Sequence, residues 1–170
     1  MWEPIWGRSE DTHPMGNPLA FQLAAAYLDE PNIVTVEDWG CGCGHFQPFL
    51  SHRQDWIGVD GCKDSAALVI ADLIYYRSNP DAIHMRGVLE HNDSWPAILG
   101  NFLASFKHLG VLTIFLSWVE HTIRRKEGRF IVYSYKREDI IERLENVKLI
   151  HEIPVQKTHG NETVLCLRKN

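Results

Sequence analysis

The apolar residues gather into short strand-like runs, separated by stretches whose apolar positions recur every three or four residues. Ile33-Val34-Thr35-Val36 is β-branched throughout and predicts a buried strand. Trp56–Asp60 predicts a second strand, and Ala82–Met85 a fourth. Between them Ala67–Ile70 predicts a third that ends at Asp72, with a helix as the alternative. Val111–Leu116 is strongly apolar and predicts a fifth. Asn17-Pro18 reads as a cap followed by proline at the first helical position. Leu23, Tyr27 and Leu28 keep helical spacing, so residues 17–29 form a predicted helix closed by Pro31. Phe46, Phe49 and Leu50 mark a short helix. Ser94-Trp95-Pro96 opens another, with Ile98, Leu99, Phe102, Leu103 and Phe106 on one face and Leu109-Gly110 as its end. Residues 117–130 read as a long polar connection, and Ser134 as the cap of a helix carrying Ile140, Ile141 and Leu144. Runs near 148–154 and 162–168, joined around His159-Gly160-Asn161, predict a closing hairpin. Residues 1–16, with Trp2 and Trp6 but no period, are expected to form an irregular arm that folds over the site as a lid. Strands alternating with helices imply an α/β domain with a mainly parallel sheet, to which the hairpin adds an antiparallel strand.

Composition narrows the class. The 170 residues, 45% hydrophobic and 23% charged, suit one folded domain spanning 1–170. No apolar run reaches the roughly 18–20 residues of a membrane span. The start M-W-E-P-I-W lacks the basic and apolar regions of a signal peptide, so a cytoplasmic protein is expected. Cys41, Cys43, Cys62 and Cys166 match neither a disulfide framework nor a zinc spacing, and no metal is expected. The net charge of −5 argues against a non-specific nucleic-acid binder. It conceals an asymmetry: residues 1–85 hold 4 Lys+Arg against 12 Asp+Glu, whereas residues 86–170 hold 13 against 10. The basic half either meets an anionic group or is a solvated surface.

The strongest chemical signal is V-E-D-W-G-C-G-C-G, residues 36–44, placed after the first predicted strand and before a helix. Ligands bind at that edge of doubly wound sheets, and glycines let the backbone turn sharply and approach a ligand closely. The third glycine comes one position too early for the dinucleotide fingerprint, and no G-K-[ST] follows for a phosphate loop.

With Asp38-Trp39-Gly40-Cys41-Gly42-Cys43-Gly44, the chain resembles the class I S-adenosylmethionine-dependent methyltransferases, whose first motif is an acidic residue, any residue, then G-x-G-x-G. The resemblance implies a three-layer Rossmann-like fold with a mostly parallel seven-stranded sheet. It also implies S-adenosyl-L-methionine as cofactor and S-adenosyl-L-homocysteine as product. It places Asp38, Gly40, Cys41, Gly42 and Gly44 at the cofactor. Asp60, with Gly61, ends the second strand and would hydrogen-bond the ribose hydroxyls, which a carboxylate accepts in pairs. Asp72 and Leu73 would meet the adenine, and Gly87, at the start of G-V-L-E-H, would lie along the cofactor. Only 12 positions separate Asp60 from Asp72, so any helix there must be very short.

Methyl transfer needs alignment of the acceptor and a base only if a proton must leave early. His121, Glu120 and His91 are the candidate bases, His121 the favoured one. Trp118, Arg124 and Arg125 are the candidate acceptor contacts, an aromatic surface beside cations. No [DN]-P-P-[YFW] or Pro-Cys signature of base methylation occurs. The acceptor is therefore expected to be a small molecule or a glycan. Two alternatives fit the same residues: a nucleic-acid methyltransferase, and a non-catalytic cofactor-binding or partner-binding module. The oligomeric state is left open.

Overall fold

A computed structural model describes residues 18–117, 122–127, 130–155 and 162–170. Helix α1 (Pro18–Leu28) is followed by β1 (Thr35–Trp39), β2 (Asp55–Asp60), the two-residue β3 (Val69–Ile70) and β4 (Ala82–Arg86). Helix α2 (Trp95–Ser105) leads into β5 (Leu109–Ser117), then β6 (Thr122–Glu127) and β7 (Phe130–Lys136). Helix α3 (Arg137–Ile141), β8 (Val147–Pro154) and β9 (Glu162–Lys169) complete the chain. Seven strands lie in the order β3-β2-β1-β4-β5-β9-β8. The first five run parallel, and β9 is antiparallel to both its neighbours. The α/β fold with a closing antiparallel hairpin is therefore as the sequence implies, with the hairpin β6–β7 added beyond the end of β5 through Leu116↔Tyr135.

Alternation along the central strands divides two cores. Trp39, Ile83, Met85 and Leu112 pack with Ile98, Leu99 and Phe102 of α2 and Ile140 of α3. Val36, Ala82, Val111 and Val164 pack on the other face with Ala20, Ala24 and Leu28 of α1. The small alanines let α1 lie close to the sheet.

Five local readings change. The expected helix at 46–50 is one 3-10 turn, Gln47–Phe49, because the chain extends at Leu50. Ala67–Ile70 contributes only β3, and no helix joins β2 to β3 or β3 to β4. Leu109-Gly110 opens β5, since the chain is already extended at Phe106. The polar stretch 117–130 includes β6, paired antiparallel with β7. Ser134 lies inside β7, and Lys136 precedes the short α3 in its place. The arm 1–16, with its expected lid role, and the turn at 159–161 lie outside the described residues.

Polar side chains do what the missing helices would have done. Buried Glu37 on β1 accepts from Trp39 Nε1 (2.7 Å), Ser78 Oγ (2.6 Å) and Tyr76 Oη (3.3 Å). Asn101 on α2 donates to the Leu73 and Ile74 carbonyls (3.0 and 2.7 Å) and accepts from Arg77 Nε (3.0 Å). Together they strap residues 73–78 onto the sheet without secondary structure.

Asp81, at the foot of β4, accepts from the Val34 and Thr35 amides and from Thr35 Oγ1, and pairs with Lys107. Burial alone would raise its pKa, but these donors outweigh it and hold the carboxyl at about 2, below its ordinary 3.8. The unfolded chain therefore binds this proton first. The stabilisation is complete above the ordinary value and is lost as pH falls toward 2, an effect of about 2 kcal/mol. Asp81→Asn is expected to flatten the acid limb of the stability curve by that amount, read from urea midpoints at mildly and strongly acidic pH.

Candidate cofactor and acceptor cleft

The turn after β1 is held from below and from the side. Gly40 and Cys41 donate their amides to the Val59 carbonyl of β2 (2.8 and 3.3 Å), and Ala66 donates to the Gly42 carbonyl (2.7 Å). Asp60, at the end of β2, accepts from the Gly42 amide at Oδ2 (2.9 Å) and from the Cys62 amide at Oδ1 (2.8 Å). One carboxylate thus ties together the loops after β1 and β2. Gly40 has φ +72°, and a Cβ there would stand 2.2 Å from Val88 Cγ2. Gly42 has φ +50° but open space where its Cβ would be, as has Gly87 at φ +69°. These two present bare backbone that a ligand can approach.

Above this edge lies a cleft of about 880 Å³. Asp38, Gly40, Cys41, Gly42, Asp60, Gly61, Asp72, Leu73, Gly87 and His91 line it, so ten sequence-derived candidates converge. Gly44 does not line it; its Cα faces Ala66 and the Trp56 ring beneath the loop. Asp72 also caps a turn, accepting from the Ile74 amide (2.9 Å). Burial, together with the Asp38 and Asp60 carboxylates, pushes the Cys41 thiol up, which disfavours the thiolate. Trp118, Glu120 and His121 lie outside the described residues, and Arg124 and Arg125 fall on β6, where the register shifts between Ile123 and Arg125. Among the described residues no group of three His, Cys, Asp or Glu side chains could hold a metal, and no helix is long and apolar enough to cross a membrane.

The deep end of the cleft holds residues that the sequence reading passed over. His84, on β4, is 1% exposed and places Nδ1 2.7 Å from Asp38 Oδ1. The other oxygen of Asp38 accepts from Trp56 Nε1 (3.3 Å). Against an ionised Asp38, which only accepts, the hydrogen belongs on His84 Nδ1. The Phe46 ring stacks on the imidazole at 3.8 Å, and Phe21 of α1 stands 5.9 Å away. Arg86, two residues on, lies over Phe21 and pairs with Glu162 of β9 through Nε (2.9 Å) and Nη2 (2.7 Å). The sequence did contain a signal. In A-I-H-M-R the polar residues fall on alternate positions of an apolar strand, which puts both on one face.

No family model matches the sequence, and no curated protein matches it. Solved structures do match. Magnesium protoporphyrin IX methyltransferase from Synechocystis PCC 6803, with bound S-adenosylhomocysteine, has a TM-score of 0.72 at 16% identity, over 89% of this chain and 83% of that one. The 1,6-didemethyltoxoflavin-N1-methyltransferase of Burkholderia thailandensis has a TM-score of 0.73 at 17% identity, over 89% and 77%. A small RNA methyltransferase has a TM-score of 0.65 at 14% identity, over 90% of this chain and 25% of that one. The chain has the Rossmann-like fold of the class I S-adenosylmethionine-dependent methyltransferases.

Proposed function

We propose that the cleft binds S-adenosyl-L-methionine and that the protein transfers its methyl group to a small-molecule acceptor. The observation that carries this reading is the Asp60 carboxylate, which faces the cleft while anchoring the bare-backbone turn at Gly42. Two of its roughly four lone-pair sites meet backbone amides, leaving acceptor capacity for a pair of ribose hydroxyls. Gly42 and Gly87 admit the cofactor's chain where any Cβ would project, and Leu73 and Ile98 offer apolar contact for a purine beside Asp72. The bound cofactor supplies an activated methyl group, and the protein aligns an acceptor with it and excludes water.

A cleft of about 880 Å³ has room for the cofactor and a small acceptor together. Solved neighbours named as methyltransferases of magnesium protoporphyrin IX, 1,6-didemethyltoxoflavin, mitomycin and coclaurine support the same class. Trp118, Glu120, His121, Arg124 and Arg125 come after β5 in the sequence and stay candidates for the acceptor, and His91 lines the cleft.

Calorimetry with S-adenosylmethionine and S-adenosylhomocysteine tests the proposal directly. Asp60→Ala is expected to weaken binding by about 10–100-fold, the loss of hydrogen bonds to a charged group. Unchanged affinity would remove Asp60 from the site. Absence of binding to the native chain would overturn the proposal, and salt-sensitive binding of an RNA oligonucleotide would replace the small acceptor with nucleic acid.

A further inference from the structure

Among the described residues, three buried polar atoms on one face of the sheet have no hydrogen-bond partner: His84 Nε2, Arg86 Nη1 and Thr113 Oγ1. Arg86 and Thr113 are register partners across β4 and β5, and His84 lies one pleat below on the face that α1 covers. The Arg86 side chain is 8% exposed, and both it and His84 line the cleft. Buried polar groups are costly when unpaired, so His84 and Arg86 on the cleft wall are a ligand site in their chemistry, with Thr113 beneath it.

The atoms differ in kind. With Nδ1 donating to Asp38, neutral His84 presents a lone pair at Nε2. Arg86 Nη1 is a donor, but the charge behind it is already met by Glu162. Among the described residues, Asp38 of β1 bonds His84, Arg86 follows on its own strand, Glu162 of β9 pairs with that arginine, and Phe21 and Phe46 add their rings. Two carboxylates against one guanidinium give a carboxylate or phosphate ligand nothing to neutralise it. A neutral hydroxyl fits: its O–H donates to Nε2 and its oxygen accepts from Nη1. The flanking rings favour an aromatic carrier of that hydroxyl.

We propose that His84 and Arg86 form the acceptor subsite for a neutral, hydroxylated aromatic small molecule, a phenol, whose proton His84 accepts. This rests on the cofactor reading above and gives His84 the role first assigned to His121. The phenol O–H bond breaks as its proton passes to Nε2. An oxygen lone pair forms the new bond to the methyl carbon, and the methyl–sulfur pair stays on sulfur as a neutral thioether. The imidazolium then returns its proton to water. Asp38 orients the ring and stabilises its charged form.

The full-length protein is titrated first with S-adenosylhomocysteine and then with catechol, followed by calorimetry and nitrogen NMR of the histidine rings. Turnover is measured with catechol, para-nitrophenol, benzoate and phenyl phosphate. Catechol is expected to shift one ring nitrogen, a signal missing from His84→Gln. That variant should keep S-adenosylhomocysteine affinity and lose about 100-fold in catechol turnover, and para-nitrophenol, as an anion, should be as poor a substrate of the native protein as benzoate. Arg86→Met should raise the KM of catechol about tenfold. The wild-type titration decides the matter even if His84→Gln does not fold. Unmoved histidine signals, full catechol turnover by His84→Gln, or preference for benzoate or phenyl phosphate overturns the proposal. Failure in the first titration, before any phenol is added, overturns the cofactor reading and this one with it.

Discussion

Glu162→Ala is expected to destabilise the protein by about 3–5 kcal/mol, because it strands a buried guanidinium. Arg86 and Glu162 are 8% and 12% exposed and share two contacts under 3 Å. Removing the carboxylate leaves Nε and Nη2 unpaired beside an Nη1 that has no partner already. The Phe21 face recovers only part of the charge interaction. Glu162→Gln keeps an acceptor and should lose less. The paired replacement Arg86→Met with Glu162→Leu should restore most of the stability while abolishing the polarity of the deep cleft. Chemical denaturation of the two single variants and the double variant measures this coupling. Additive losses would mean that the pair is solvated and worth little.

Gly40→Ala is the second large effect. A Cβ at φ +72° carries a left-handed strain of about 1–2 kcal/mol, and the overlap with Val88 at 2.2 Å adds about 1–3 kcal/mol of overpacking. The variant should lose about 2–5 kcal/mol of stability together with nearly all cofactor binding, since Val88 and Gly87 line the same cleft. Gly42→Ala meets no atom within 4 Å and should cost the protein only the strain. Its damage should fall on the ligand. Val88→Ala in the Gly40→Ala background should recover stability, and its failure to do so would place the conflict elsewhere.

What could be read from the sequence was the part fixed by local pattern. A β-branched run marked β1, short apolar runs marked β4 and β5, and three glycines with Asp60 marked the edge at which ten candidate residues meet. The hairpin β6–β7 was hidden because T-I-R-R-K-E lacks the apolar alternation of a half-buried strand. Its pairing comes from β7, whose Tyr135 hydroxyl donates to the Leu89 carbonyl beside the cleft. The absent helices were signalled by spacing alone, the short interval from Asp60 to Asp72. The polar strap that replaces them depends on Glu37 and Asn101, far apart in sequence. His84 was passed over for a related reason. Its meaning lies in Asp38 and Phe46, which only the folded sheet brings to its two sides.

The strap has a kinetic corollary. Residues 61–80 hold one wall of the cleft with a two-residue strand and side-chain bonds, while Leu68 and Tyr75 face outward. A segment so lightly packed opens on its own at a small fraction of the global unfolding free energy. Its amides should therefore exchange with deuterium well before those of β1, β4 and β5, and should slow when S-adenosylhomocysteine is added. Nucleoside departure would then be governed by the fluctuation of this wall, so that Asn101→Ala, far from the reacting centre, should shorten the residence time of the spent cofactor. Uniform exchange across residues 61–80 and the central strands would instead make the wall as rigid as the sheet.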